Sequence, residues 1–458
     1  MPGFRVEQVR TCIAPAIVAV GLLTACGTWQ RVGVQPHPQA VPALSQFFDA
    51  STIYRAMGFV VGGGPLPFVA SLHFFAGTTP DSTPGVFAMS LANHALSFRR
   101  ADSGFVAVYH VDLTLRADSS VAFRRAGDET VRVRSFQETL RVDESIVFQQ
   151  FFTVRPGIYT VRVVVRDRNG PGYAESQIQD TVRRFEAPGL GGPIPTYQGA
   201  GRTRLDALPD VVVNPRATLP YGADSLRFYV EGYGLPPGTR LAARVLDPDS
   251  VVLWNADLTL GGGPIASALF VINPGDLPVG RAEFEVRALG ATARVVAPFL
   301  VTFSEFWAIA NFDQMVDVLR YFDRQDLVAK LKAAPRDQRA AAWREFYRAS
   351  DPAPITPENE ALDEYFHRVE VASLRFPEPG IPGWRTDRGE VFIALGDPDE
   401  IIDATNQVAN GARFIQWGYT NLRLTLVFQD ETGFGEFRLT PLSRSEYQRV
   451  LARVRREQ

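Results

Sequence analysis

Residues 156–170 read PGIYTVRVVVRDRNG. A Pro156-Gly157 turn opens the stretch, and Val161, Val163 and Val165 then alternate against Arg162 and Arg166. A period of two puts the valines on one face of a strand and the arginines on the other. Residues 108–116, VYHVDLTLR, repeat the pattern, with Val111, Leu113 and Leu115 on one face and Asp112, Thr114 and Arg116 on the other. Short runs of this kind, broken by Gly, Asp and Asn turns, predict an Ig-like antiparallel β-sandwich over residues 45–188.

The alternation returns after a Gly/Pro-rich stretch at 189–204, which reads as a linker. Pro278-Val279-Gly280 leads into Phe284 and Val286 as Pro156-Gly157 leads into Tyr159 and Val161. Residues 205–303 are therefore expected to form a second, related sandwich. From Ser304 the period becomes helical. Phe312, Met315, Val316, Leu319 and Phe322 fall on one helix face, then Trp343, Phe346 and Tyr347, then Leu362, Tyr365, Phe366 and Val369. Asn359-Glu360 reads as a helix start. Strand-like runs at 389–396, 413–420, 422–430 and 435–440 predict a small antiparallel meander, and Ser443 with Glu446 a capped terminal helix. The expected fold is mainly β, with two antiparallel sandwiches followed by a helical segment and a small antiparallel sheet, the last two making an α+β domain at 304–458.

A chain of 458 residues has room for several domains. Its net charge of -3 provides no basic field for nucleic acid. Only Lys330 and Lys332 are lysines, so nearly all the positive charge is arginine. Cys12 and Cys26 are the only cysteines, which leaves no disulfide framework or multi-cysteine metal site in the body of the chain.

Residues 1–25 carry Arg5 and Arg10 before an apolar run from Ile13 to Leu23, too short to span a hydrocarbon core of roughly 30 Å. This is expected to be a processed signal. Its end, Leu23-Thr24-Ala25-Cys26-Gly27, resembles the lipobox of bacterial lipoproteins, and the resemblance implies that Cys26 becomes the acylated first residue. The lack of Asp after the cysteine implies the outer membrane. Residues 26–44, without hydrophobic periodicity, read as a flexible tether.

Gly383-Trp384-Arg385-Thr386-Asp387 is similar to the pentapeptide that names the GWxTD domain family of bacterial proteins. Arg388-Gly389, Gly396-Asp397-Pro398 and Trp417-Gly418-Tyr419 continue the likeness, as do Trp343 and Phe346 upstream. Where some members have Tyr-Ala-Asn, this chain has Val371-Ala372-Ser373 after Glu370. The family brings no chemistry with it, so the residues are read on their own terms. Trp384 is expected to fill a gap beside the PEPGIPG elbow, Thr386 and Asp387 to accept from backbone N–H groups, Arg388 to bridge Asp387 or Glu390, and Gly396 with Pro398 to make a tight turn. Two competing readings exist. A glycosidase pair drawn from Asp387, Glu390, Asp397, Asp399 and Glu400 needs two carboxyls roughly 5 Å or 7–9 Å apart. A calcium site would draw on Asp397, Asp399 and Asp403, but not at EF-hand spacing. His37, His73, His94, His110 and His367 fit no zinc pattern, and no GxSxG turn occurs.

These observations lead to an expected envelope lipoprotein on the outer membrane, held to the bilayer through Cys26, non-enzymatic, without cofactor or metal, and acting on an envelope protein partner. The alternative is a glycan-binding or glycan-hydrolysing envelope protein.

Overall fold

The computed structural model describes residues 30–32, 50–101, 104–140, 145–221, 225–291, 293–302, 312–353, 355, 359–403 and 413–457. Cys26 and most of the stretch read as a signal and tether lie outside them. The chain forms two compact units, one of residues 1–35 and 398–448, the other of residues 36–397 and 449–458.

The smaller unit holds a five-stranded antiparallel sheet in the order β1 (Gln30–Val32), β21 (Glu400–Asp403), β22 (Arg413–Tyr419), β23 (Leu424–Asp430) and β24 (Arg438–Leu439). The last four strands are a meander, in which three of the expected runs, 413–420, 422–430 and 435–440, supply β22 to β24 and Glu400–Asp403 stands in the place expected for 389–396. Residues Gln30–Val32, inside the stretch read as a tether, pair with β21.

The larger unit begins with the short helix α1 (Ala50–Ala56) and the first sandwich. One sheet is β2 (Val60–Gly62), β3 (Phe68–Phe74), β4 (Thr83–Ala92) and β8 (Ser145–Val154). The facing sheet runs β10 (Tyr173–Val182), β9 (Gly157–Asp167), β6 (Gly104–Ala117) and β5 (Arg99–Ala101), with β7 (Ser120–Val133) also on β6. The helix α2 (Phe136–Leu140) precedes β8. Val111, Leu113, Leu115, Val161, Val163 and Val165 are all buried in this core, as their period requires. Each contributes about 1.5–3 kcal/mol by leaving water.

The second sandwich pairs a sheet of β11 (Gly189–Leu190), β15 (Leu226–Tyr233), β12 (Ile194–Ala200), β13 (Asp210–Val213) and β18 (Ile265–Ile272) with one ordered β14 (Thr218–Pro220), β20 (Arg294–Thr302), β19 (Gly280–Ala288), β16 (Arg240–Leu246) and β17 (Val252–Thr259). Phe228 and Phe284 stack at 4.2 Å in its core. Strands β9 and β19, each opening on a turn glycine, hold matching places between β6 and β10 and between β16 and β20. The stretch 189–204, read as a linker, is corrected: it contains β11 and β12. The strand β12 pairs with β15 over three residues and with β13 over four, with a bulge between Thr196 and Gln198. Neither run is long enough to show alternation, and Pro195 takes part through its carbonyl, which accepts from Asn214 N–H at 2.9 Å.

The sandwiches pack on each other through Phe75, Val86 and Ala88 against Ile194, Val211, Val213 and Tyr229. Two polar devices reinforce this contact. The Gln149 amide acts as a piece of strand for β13, donating to Val211 O at 2.8 Å and accepting from Val213 N–H at 3.0 Å. Arg202 pairs with Glu231 at 2.9 Å with both side chains almost fully buried, and also donates to Ala76 O at 2.7 Å across the interface.

Beyond the sandwiches come α3 (Phe312–Val318), α4 (Gln325–Ala333), α5 (Arg339–Ser350), α6 (Glu360–Arg375) and α7 (Asp387–Leu395), and the chain closes with α8 (Pro441–Glu457). The predicted apolar stripes are buried, Trp343, Leu362, Phe366 and Val369 completely, apart from Tyr347, which is half-buried. Asn359 caps α6, accepting from Leu362 N–H at 3.0 Å. Trp343 meets Tyr221 of the second sandwich edge-on at 5.9 Å. Two expectations are corrected. Residues 389–396 are helical rather than a strand, for reasons taken up below. The helix α8 starts at Pro441, so its cap is Thr440, whose Oγ1 accepts from Ser443 N–H at 3.4 Å; Ser443 instead accepts from Val427 N–H at 2.9 Å.

Candidate functional site

The GWxTD residues form the corner where α6 gives way to α7. Helix α6 ends at Arg375 with Phe376 as its C-cap, and the chain folds back through a small bridge in which Glu378 and Ile381 exchange backbone hydrogen bonds at 3.1 and 3.0 Å. Gly380 supplies the left-handed φ of 73° that this turn needs. A 3-10 turn over Gly383–Arg385 then leads into α7.

Two glycines of the motif are there because the backbones touch. A Cβ on Gly383 would sit 2.2 Å from Ala372 O and 2.7 Å from Ser373 O, at the end of α6. A Cβ on Gly389 would sit 1.9 Å from Gly383 O. Thr386 caps α7. Its Oγ1 accepts from Gly389 N–H at 3.1 Å and donates to Gly383 O at 2.8 Å. Asp387 and Glu390 lie in the first turn, where a carboxylate is favoured by the helix dipole. Gly396, at φ 80°, ends the helix, with its N–H on Phe392 O at 2.8 Å. Cap, acidic first turn and terminal glycine outweigh the strand preference of Val391, Phe392 and Ile393, all buried in the helix.

Trp384 is buried, and two guanidinium groups flank its ring, Arg385 at 4.8 Å and Arg320 at 5.3 Å from the centroid. Both arginines also bind Asp317, Arg385 at 2.6 Å. Burial works against ionisation of Asp317, but the hydrogen bonds from Arg320 and Arg385 outweigh it and hold its carboxyl below the usual range. Asp387 and Glu390 face the same neighbourhood, for both raise the Tyr321 hydroxyl after the larger effect of burial. Arg388, expected to bridge Asp387 or Glu390, pairs with Glu378 at 3.5 Å, with the Glu378 side chain wholly buried. One helical turn up α6 from the corner, Glu370 is buried with His367 Nδ1 at 3.9 Å, and burial raises its carboxyl to about 7.

The other expected acids go to separate tasks. Asp397 pairs with Arg375 at 2.5 Å, and Asp399 accepts from Thr420 N–H at 2.6 Å. Glu400 and Asp403 begin and end β21. Among the described residues no three His, Cys, Asp or Glu side chains gather to hold a metal. In the smaller unit Trp417 and Tyr419 are buried, Trp417 edge-on to Phe428 at 4.8 Å, and Pro398 is buried as well.

Sequence reading missed a cleft of about 520 Å³ in the second sandwich. Its wall includes Thr196, Tyr197, Asn214, Ser225, Arg227 and Leu269. It is lined by β12 beside its bulge against β13, and bulges are not legible in alternation alone.

Residues 288–451 match the family model of the GWxTD domain. The chain carries a GWxTD domain. No curated protein matches the chain in sequence. Among solved structures it is similar to the BSP domain of a biofilm-associated protein, at 8% identity and a TM-score of 0.17, over 53% of this chain and 52% of the other. It is also similar to dimeric latent PorU from Porphyromonas gingivalis, at 11% identity and a TM-score of 0.22, over 55% and 21% of the two chains. A third likeness is to a β-glucuronidase of Parabacteroides merdae, at 9% identity and a TM-score of 0.18, over 50% and 29%. The chain spans about half or less of each of these proteins, and likeness at this level identifies no activity.

Proposed function

We propose that this GWxTD protein is an interaction or scaffold protein of the bacterial cell envelope, held on the outer membrane by acylated Cys26, and that it performs no catalysis. The observation that carries the reading is the use made of the motif. Gly383, Thr386, Gly389 and Gly396 are each consumed in closing and capping one helical corner, and Trp384 is buried within it. Two sandwiches joined by an apolar contact and by the Arg202 and Gln149 hydrogen bonds make a platform, and such platforms offer edges and loops to partner proteins. The lipobox supports the anchor, and no helix among the described residues is long and apolar enough to cross a membrane.

Labelling cells with a palmitate analogue tests the anchor. The wild-type chain takes up label and sediments with the outer membrane, whereas Cys26→Ser does neither. Label on both forms, or on neither, overturns the anchoring.

The cleft beside Tyr197 favours glycan binding as a second reading. It is polar, and Tyr197 is 37% exposed, so a ring and several hydrogen-bonding groups stand ready for a sugar. Tyr197→Ala would abolish retention on peptidoglycan or outer-membrane polysaccharide if this reading holds. Absence of retention by the wild-type chain removes it.

A further inference from the structure

The strand β7 is the free edge of its sheet. It pairs with β6 along one side and, among the described residues, with no strand along the other. It is 14 residues long, where strands are usually about 5–6. A long edge offers a row of backbone N–H and C=O groups to another strand. Its side chains alternate. Phe123 and Val131 lean on the first sandwich core, with Arg125, Gly127 and Glu129 between them on the same face, while Arg124, Ala126, Asp128 and Thr130 take the other.

Gly127 is the informative residue. Its φ is not in the left-handed region, so the turn of the backbone does not demand glycine. Nor does backbone crowding within the chain, since the three atoms nearest a Cβ there all belong to the flexible Arg125 guanidinium, at 3.2–3.4 Å. Glycine inside a strand weakens it, and here it leaves a gap in the row of side chains on the face that carries Arg125 and Glu129. Arg125 presently lies along its own strand over this glycine and reaches Glu129 at 3.9 Å.

We propose that β7 pairs antiparallel with β7 of a second copy of this chain, about a two-fold axis through Gly127, so that the two sheets become one. In this register Arg125 faces Glu129 of the second copy, and the pair occurs twice. Phe123 faces Val131, and Arg124 faces Thr130. Cross-strand partners of opposite charge and of apolar type each stabilise such a pairing, and they stand closer than Arg125 and Glu129 do along one strand. Slipping one way by two residues in the pairing sum puts Asp128 opposite itself and Arg124 opposite Arg132. Slipping the other way puts Phe123 opposite Glu129. The charges thus admit one register and penalise its neighbours.

The test uses the full chain with Cys12→Ser and Cys26→Ser, which removes its only two cysteines, purified in mild detergent. Gly127→Cys then places one thiol on the axis. Paired strands hold facing Cα atoms about 4.5–5.5 Å apart, within disulfide reach, so oxidation gives a covalent dimer. Thr130→Cys lies about 20 Å from its own copy and stays monomeric. Light scattering on the cysteine-free chain gives twice the monomer mass, Arg125→Glu gives the monomer mass, and Arg125→Glu with Glu129→Arg restores the dimer. A monomeric parent chain overturns the proposal. So does a dimer indifferent to Arg125→Glu, or equal crosslinking at positions 127 and 130.

Discussion

Gly389→Ala opposes two effects of different size. Gly389 lies in the first turn of α7 with ordinary helical φ, so alanine should improve the helix by about 1 kcal/mol. The new methyl would stand 1.9 Å from Gly383 O, 2.9 Å from Gly383 C and 3.0 Å from Trp384 Cα. All three are backbone atoms of the 3-10 turn, and that turn is itself fixed by the Gly383 approach to α6 and by the Thr386 hydrogen bonds. Relief therefore requires moving α7 away from the turn by more than 1 Å, and overpacking of this kind costs about 1–3 kcal/mol or more. The clash wins, and we expect a net local loss of about 2 kcal/mol. Hydrogen exchange is the proper readout, because a chain with several compact parts has no single unfolding free energy. Amides of residues 383–396 should exchange about 30-fold faster, at 1.4 kcal/mol per factor of ten, while those of β6 and β9 are unchanged. Gly192→Ala is the control, since nothing lies within 4 Å of its Cβ position. Exchange at the wild-type rate, or slower, in Gly389→Ala would refute the close-approach account of the motif.

Thr386→Val removes the α7 cap at constant shape. We expect a loss of about 1–2 kcal/mol in the same exchange measurement, largely recovered by Thr386→Ser. Arg202→Met leaves Glu231 buried with the Tyr229 and Tyr233 hydroxyls, each donating at 2.6 Å, and should cost about 3–5 kcal/mol in the exchange of β12 and β15 amides, whereas adding Glu231→Leu recovers part of it. Glu370 has a folded pKa raised by burial from 4.5 to about 7. Its contribution is therefore fully present below pH 4.5 and lost as pH rises through 7, so Glu370→Gln should gain stability over wild type across that window and match it at pH 4.5. A pH-independent difference between the two chains would refute that assignment.

What could be read from the chain follows the range of the interactions involved. Val111 to Leu115 and Val161 to Val165 announce their strands because a half-buried strand repeats every two residues, and nothing distant is needed to decide it. Asn359 announces α6 by a cap three residues from the N–H that donates to it. The stretch 389–396 misleads because Val391, Phe392 and Ile393 suit a strand, while its helix depends on Gly389 fitting against Gly383 and on Thr386 capping it. That Thr386 accepts from a backbone N–H was legible; that the N–H opens a helix was not. Arg202 and Glu231 pair over 29 residues of separation. The only local sign is a glutamate interrupting the apolar run from Phe228 to Tyr233. Of the candidate site, the identities of the motif residues were legible, but their joint task was not. The approach of Gly383 to the end of α6 and the stacking of Arg320 on Trp384 join elements far apart in the chain.

The claim that the protein works by holding a partner, without chemistry at the GWxTD corner, is tested most directly by crosslinking in native membranes followed by mass spectrometry of the captured material. Three chains are compared: wild type, Cys26→Ser, and Asp387→Asn with Glu390→Gln. The account predicts one stoichiometric envelope protein with wild type, the same protein with the two carboxyls neutralised, and its loss with Cys26→Ser. Capture of no protein by wild type, or loss of capture on neutralising Asp387 and Glu390 in a chain that keeps its normal exchange pattern, would contradict it.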